Sequence, residues 1–317
     1  TDGGSTFRPM SLARQTLLRL SKSRWLAERV MNRPFARRAV KRFMPGEELG
    51  DALDASGALA ADRLGTVLTK LGENLTAPGE ADAVRDHYLD VFDQIAARRL
   101  DSQVSVKPTQ LGLDFSESRC AEHLESLARK SDATGICLWL DMEDSSYVDR
   151  TLALYRALRE RHQRVGLAMQ AYLRRTPNDL AALLPLKPTI RLVKGAYAEA
   201  AHVAFPAKRD TDFAYYELAS QLLAAAARGE ALPIFGTHDL VLLRRITDKA
   251  VSAGVADGGF EIHMLYGIRM AEQRALAAKG HRVKTLISYG SSWFPWYMRR
   301  LAERPANIWF VAKSMLS

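Results

Sequence analysis

The run ICLWLDMED, residues 136–144, decides the fold. Its first five residues are apolar without alternation, as in a strand buried on both faces. Three of the next four are acids, so the strand ends on a charged rim. Seven other β-rich runs, each ending in a polar or glycine-bearing turn, lie at 66–71, 104–109, 165–172, 190–197, 232–237, 260–265 and 285–289. Amphipathic helical stretches alternate with them at 79–98, 115–130, 146–162, 177–184, 198–228, 239–253 and 268–279, with a last helix at 292–303. Eight such units predict an α/β fold, a (β/α)8 TIM-type barrel with its final helix over the active site. A doubly wound open sheet is the competing architecture. It would bring a G-x-G-x-x-G turn after the first strand, and none is there.

Composition agrees with a folded domain. The chain has 317 residues, 47% hydrophobic and 26% charged, which excludes collagen-like and disordered chains. No run reaches 18 consecutive apolar residues, so no membrane-spanning helix is expected. Cys120 and Cys137 are too few for a disulfide framework and point to a reducing compartment. The seven histidines show no H-E-x-x-H spacing, so no metal is expected.

The net charge of +9 is localised. Residues 1–46 hold 11 Lys and Arg against 2 acids, and the remaining chain holds 34 of each sign. Within 10–44, Leu17, Leu18, Trp25, Leu26, Val30 and Phe35 interleave with arginines, which predicts a basic amphipathic helical arm. Such an arm packs on the main domain or lies on an anionic membrane surface. A uniformly basic nucleic-acid surface would be distributed differently, and no nucleic-acid partner is expected. Met44-Pro45-Gly46 separates the arm, 1–46, from the barrel, 47–317. The expected location is cytoplasmic, with peripheral contact at the inner face of the cell membrane through residues 10–44.

In a barrel of this kind, chemistry sits at the C-terminal strand ends. Those ends carry Glu73, Lys107, Asp141, Gln170, Arg191, Lys194, Thr237-His238 and Glu261-Ile262-His263-Met264-Leu265. Ionised groups inside β-rich runs are costly unless paired or bound to a ligand, so their concentration on one rim indicates a site. On the last helix, Arg299 and Glu303 share a face and can pair, and the adjacent Arg299 and Arg300 suit a carboxylate or phosphate. The small residues Gly195 and Ala196 after Lys194 let backbone approach a ligand closely. Lys194 itself admits two readings, a cofactor contact or a Schiff-base nucleophile of the aldolase or lyase type.

Taken together these segments resemble the proline dehydrogenase family. The matching strings are LGENL (71–75), VKPTQLGL (106–113), LDMEDS (140–145), AMQAYLRRT (168–176), IRLVKGAYAE (190–199), FGTHD (235–239), FEIHMLYGIR (260–269) and SYGSSWFPWYMRRLAERPAN (288–307). Their spacing is similar to that of the short, single-activity bacterial form. The resemblance implies a barrel that binds FAD non-covalently and oxidises L-proline to Δ1-pyrroline-5-carboxylate, passing electrons to a membrane quinone. It implies that Asp141 and Arg191 are catalytic and that Lys107, Arg299 and Arg300 bind the substrate carboxylate. Tyr197 and Leu265 would wall the proline ring. Met142, Gln170, Lys194, Gly195, Ala196, Thr237 and His238 would contact the cofactor. Glu73 and Glu303 would form ion pairs that close the site.

Two positions depart from the family pattern. Leu286 stands where a tyrosine is usual, and Ser288 where a proline is common. Trp296 likewise replaces a usual tyrosine on the final helix. The missing tyrosine would pack where a 4-hydroxyl sits, so a related cyclic amino acid such as hydroxyproline is an alternative substrate.

Overall fold

The structure, a computed structural model, describes residues 40–72, 75–294 and 296–298. Its centre is a closed barrel of eight parallel strands in sequence order. The strands are β1 Gly65–Lys70, β2 Ser102–Val106, β3 Leu138–Leu140, β4 Val165–Gln170, β5 Thr189–Val193, β6 Leu232–Gly236, β7 Glu261–Leu265 and β8 Val283–Tyr289. Closure comes from β8 pairing with β1, with Gly65 opposite Lys284 and Lys70 opposite Tyr289. The alternating helices are α1 Leu49–Ala60, α2 Pro78–Ala97, α3 Glu117–Thr134, α4 Val148–Arg159, α5 Thr176–Leu183, α6 Lys208–Ala227, α7 Leu240–Ser252 and α8 Met270–Ala278.

Local sequence sets the element ends. Pro78 opens α2 and Pro177 lies in the first turn of α5, where a missing N–H costs nothing. Ser116 and Asp239 cap α3 and α7 by accepting from Arg119 N and Leu242 N. The main core lies between strands and helices, where Tyr88, Val91, Phe92 and Ile95 of α2 meet Leu124 and Leu127 of α3. A smaller cluster of Val67, Trp139 and Ile234 fills the barrel interior, with Leu286 packed against it. Strands β3 and β4 are buried along their whole length, which is why they read as largely apolar runs without alternation.

The boundaries differ from the sequence expectation at the strand ends. The 104–109 run leaves the sheet at Val106 because Pro108 starts a 3-10 turn. The 190–197 run ends at Val193, since Gly195 turns away with φ +113°. The helix expected over 198–228 begins only at Lys208, because Pro206 lacks the N–H that a helix would use there. Residues 40–46, the end of the expected arm, include the buried Val40 and Met44. The remainder of that basic segment lies outside the described residues. Among the described residues, no helix is long and apolar enough to cross a membrane, and no cluster could hold a metal ion.

Candidate active site

Three charged groups meet at the mouth of the barrel. Arg191, mid-way along β5, points inward and is almost wholly buried. Its Nη2 pairs with Asp141 Oδ1, just beyond β3, and donates to Ser105 Oγ on β2 at 2.9 Å. Ser105 in turn donates to Asp141 Oδ1 at 3.0 Å. Lys107, directly after β2, places Nζ 3.7 Å from Asp141 Oδ2. Lys107 and Arg191 thus both face the single carboxylate of Asp141, and two cations at a barrel mouth suit an anionic ligand.

Unsatisfied polar atoms face the same region. Arg191 Nη1 and Gln170 Oε1 are buried and lack partners among the described residues. Gln170 sits at the end of β4, its amide nitrogen donating to the carbonyls of Met142 and Glu143 at 3.3 and 3.2 Å. That contact fixes the amide orientation and leaves its oxygen as an acceptor. Glu143 accepts from Thr109 N and Oγ1 at 3.1 and 2.8 Å, tying the loops after β2 and β3 together.

The β5 and β6 ends form a second wall. Gly195 adopts φ +113°, and a Cβ there would collide with the Tyr172 ring. The adjacent loop is pinned by Glu199, which accepts from Ser145 N and Oγ, both at 2.7 Å. Ala196 and Tyr197 lie between these anchors, both partly exposed. After β6, Thr237 Oγ1 accepts from Asp239 N at 3.2 Å. His238 Nε2 accepts from Leu265 N at 2.9 Å, so its neutral ring carries the proton on Nδ1. The same contact couples His238 to Leu265 at the end of β7.

Lys194 lies on this wall, shared between Asp212 at 2.5 Å and Asp239 at 3.1 Å. Burial pushes the Asp239 carboxyl up, but the Lys194 hydrogen bond and the Leu242 N–H outweigh it and hold it at about 2. An amine engaged by two carboxylates is a poor Schiff-base nucleophile, which disfavours the lyase reading.

The structure thus gathers Lys107, Asp141, Met142, Gln170, Arg191, Lys194, Gly195, Ala196, Thr237, His238 and Leu265 at one end of the barrel. Glu73, Arg299, Arg300 and Glu303 lie outside the described residues. Ser105 and Trp139 were not singled out from sequence. Ser105 looks like an ordinary small strand residue, although its place two before Lys107 puts it on the inward face. Trp139 holds the corresponding place before Asp141, and its ring lies 4.7 Å beneath the Arg191 guanidinium.

The family model for proline dehydrogenase matches residues 52–313. "Proline dehydrogenase 1" of Bacillus subtilis subsp. natto is 36% identical over 281 residues, covering 88% of this chain and 91% of that protein. "Proline dehydrogenase" of Deinococcus radiodurans is 35% identical, with 87% and 89% covered. Among solved structures, proline utilization A from Bdellovibrio bacteriovorus superposes with a TM-score of 0.78 at 23% identity. That likeness covers 84% of this chain but only 32% of the longer one, and it supports the barrel fold. On the match across the barrel and the relatives' shared length, the chain belongs to the proline dehydrogenase family, oxidoreductases that carry out the first oxidation of proline catabolism.

Proposed function

We propose that the barrel mouth binds L-proline beside a non-covalent FAD and oxidises it to Δ1-pyrroline-5-carboxylate, with the electrons leaving to a membrane quinone. The observation that carries this reading is the Lys107–Asp141–Arg191 cluster beside Arg191 Nη1 and Gln170 Oε1, two buried atoms that lack partners among the described residues. Those two atoms fit the edge of an isoalloxazine, which offers carbonyl and ring-nitrogen acceptors to a guanidinium and an N–H donor to an amide oxygen. The Gly195 turn would allow the close backbone approach, and Thr237 at the start of α7 a polar contact, that the rest of such a cofactor needs.

Bound FAD supplies a two-electron acceptor for the hydride from substrate C5. Lys107 would attract the substrate carboxylate, and Asp141 would keep the lysine and Arg191 from repelling each other. Arg191 would stabilise negative charge that builds beside it as the hydride leaves. The substrate must bind as the neutral amine, because its nitrogen lone pair forms the C=N bond as C5–H breaks. The buried floor of the mouth would exclude water, and the orientation that the wall residues impose on the substrate would account for much of the rate. Arg299 and Arg300 would add to the carboxylate grip, and Glu73 and Glu303 to closure. The basic segment at 10–44 would bring the barrel to the bilayer where quinones reside.

Steady-state assay of L-proline with a soluble quinone analogue, scored by trapping the pyrroline with an aromatic amino-aldehyde, tests the reading. Quinone reduction matched one-to-one by pyrroline supports it; no turnover, or turnover without pyrroline, defeats it.

A further inference from the structure

Trp139 is fully buried inside the barrel, in a layer that it shares with Val67 and Ile234. Four observations distinguish it from filler. The Arg191 guanidinium lies 4.7 Å from its ring centroid. Its indole Nε1 donates to Gln103 Oε1 at 2.7 Å, and Gln103 Nε2 is 3.4 Å from Glu261 Oε2. The His263 ring stands edge-on at 5.7 Å, with its Nε2 3.2 Å from the same carboxylate oxygen. Finally, β4 carries Gly166 beside the indole, where an added Cβ would fall 2.5 Å from Trp139 Cζ3. The neighbouring strand therefore leaves room for the ring.

The column continues to the far end of the barrel, where Arg282 Nη2 reaches Glu261 Oε1 at 2.6 Å. A buried indole whose N–H is tied and whose face carries a guanidinium has a fixed plane. Arg191 needs such support. Among the described residues its hydrogen bonds run through Nη2, to Ser105 and Asp141, and an arginine held at one nitrogen can rotate about that contact.

We infer that Trp139 is the positioning residue for Arg191. Its face sets the plane of the guanidinium so that Nη1 stays unengaged by protein and available to a bound group, and the Gln103–Glu261 link keeps the indole from turning. This rests on the role given to Arg191 above, and the cation–π contact that it uses strengthens where water is excluded.

The test uses the purified flavoprotein and the variants Trp139→Phe, Trp139→Leu and Gln103→Leu, each also combined with Arg191→Lys. Trp139→Leu is expected to lower kcat for proline about 10- to 30-fold with KM nearly unchanged, and to move the flavin midpoint potential to more negative values. Trp139→Phe, which keeps a π face, should recover most of both. In the Arg191→Lys background the Trp139→Leu loss should shrink to about threefold or less, because little remains to position. Equal losses in both backgrounds, or a fall in kcat with an unmoved potential, would overturn the inference. Should Trp139→Leu not fold, Trp139→Phe and Gln103→Leu carry the same comparison. Crystal structures decide the matter without activity: a guanidinium that has turned in Trp139→Leu or Gln103→Leu supports the platform, and one that keeps its place refutes it. Wild-type protein lacking flavin would defeat the proposed function alone, and those structures would still judge Trp139.

Discussion

Asp141 and Arg191, fifty residues apart in the chain, share a single hydroxyl: Ser105 Oγ is 3.0 Å from the carboxylate and 2.9 Å from the guanidinium. The hydroxyl thus bridges an ion pair that is already made directly. Asp141→Asn keeps the shape but removes the carboxylate charge that Lys107 and Arg191 both face. Proline turnover, kcat/KM, should fall about 10²- to 10³-fold, and Ser105→Ala, which retains the ion pair, should lose about tenfold or less. Steady-state kinetics checks both, and a Ser105→Ala defect as large as that of Asp141→Asn would contradict this ranking.

Gly195 turns with φ +113° against the Tyr172 ring. An alanine there suffers both the backbone strain and the collision. Gly195→Ala should destabilise the protein by about 1–3 kcal/mol and lower the cofactor content of the purified protein. A melting curve and the ratio of flavin to protein absorbance would show it. Unchanged values of both would mean that this turn is not a cofactor wall.

Two histidines make stability depend on pH. Burial, with Lys70 nearby, lowers the His87 pKa to about 4, and burial lowers that of His263 to about 4 despite the Glu261 hydrogen bond. In the unfolded chain both imidazoles titrate near 6.5, so the unfolded state binds more protons between pH 6.5 and 4. The contribution of these two histidines is therefore complete above pH 6.5, declines as pH falls through that window and levels off below 4, where Asp239 and Glu261, each held at about 2, begin to lose theirs. Each group contributes on the order of 1–3 kcal/mol. Urea unfolding at pH 7.5 and 5 should show the decline, and His87→Gln should make it shallower. An identical pH profile for His87→Gln would remove His87 from the account.

Two side chains of β8 bear on the selectivity expected under this reading. Leu286 packs towards the Val67–Trp139–Ile234 layer, and Ser288 is buried with an Oγ that lacks a partner among the described residues. Neither side chain has the reach of a tyrosine to fill space beside a substrate ring. The chain should accept trans-4-hydroxyproline with a kcat/KM no worse than about 10²-fold below that of proline, since an apolar wall rejects an added hydroxyl only weakly. Kinetics on the two amino acids would check it, and exclusion beyond that factor would show that another residue blocks the 4-position.

The barrel was legible because parallel strands buried on both faces leave continuous apolar runs such as 136–140, and helices between them leave amphipathic ones. The charged cluster at the mouth was legible because Arg191 is a charge inside a β-rich run and Lys107 and Asp141 are charges directly at the ends of two others. Trp139 and Ser105 were hidden for the opposite reason. An indole or a hydroxyl in a strand fits ordinary packing, and only the closed register of eight strands brings Trp139 under Arg191. The end of the β5 run was misjudged because Val193 and Tyr197 are both good strand residues, whereas Gly195 between them takes a positive φ that ends the ladder.

The most direct measurement is the absorption spectrum of the purified protein before and after anaerobic addition of L-proline. The account predicts an oxidised-flavin band that bleaches on mixing and returns when a quinone analogue is added. A colourless protein, or a flavin band that proline leaves unchanged, would contradict it.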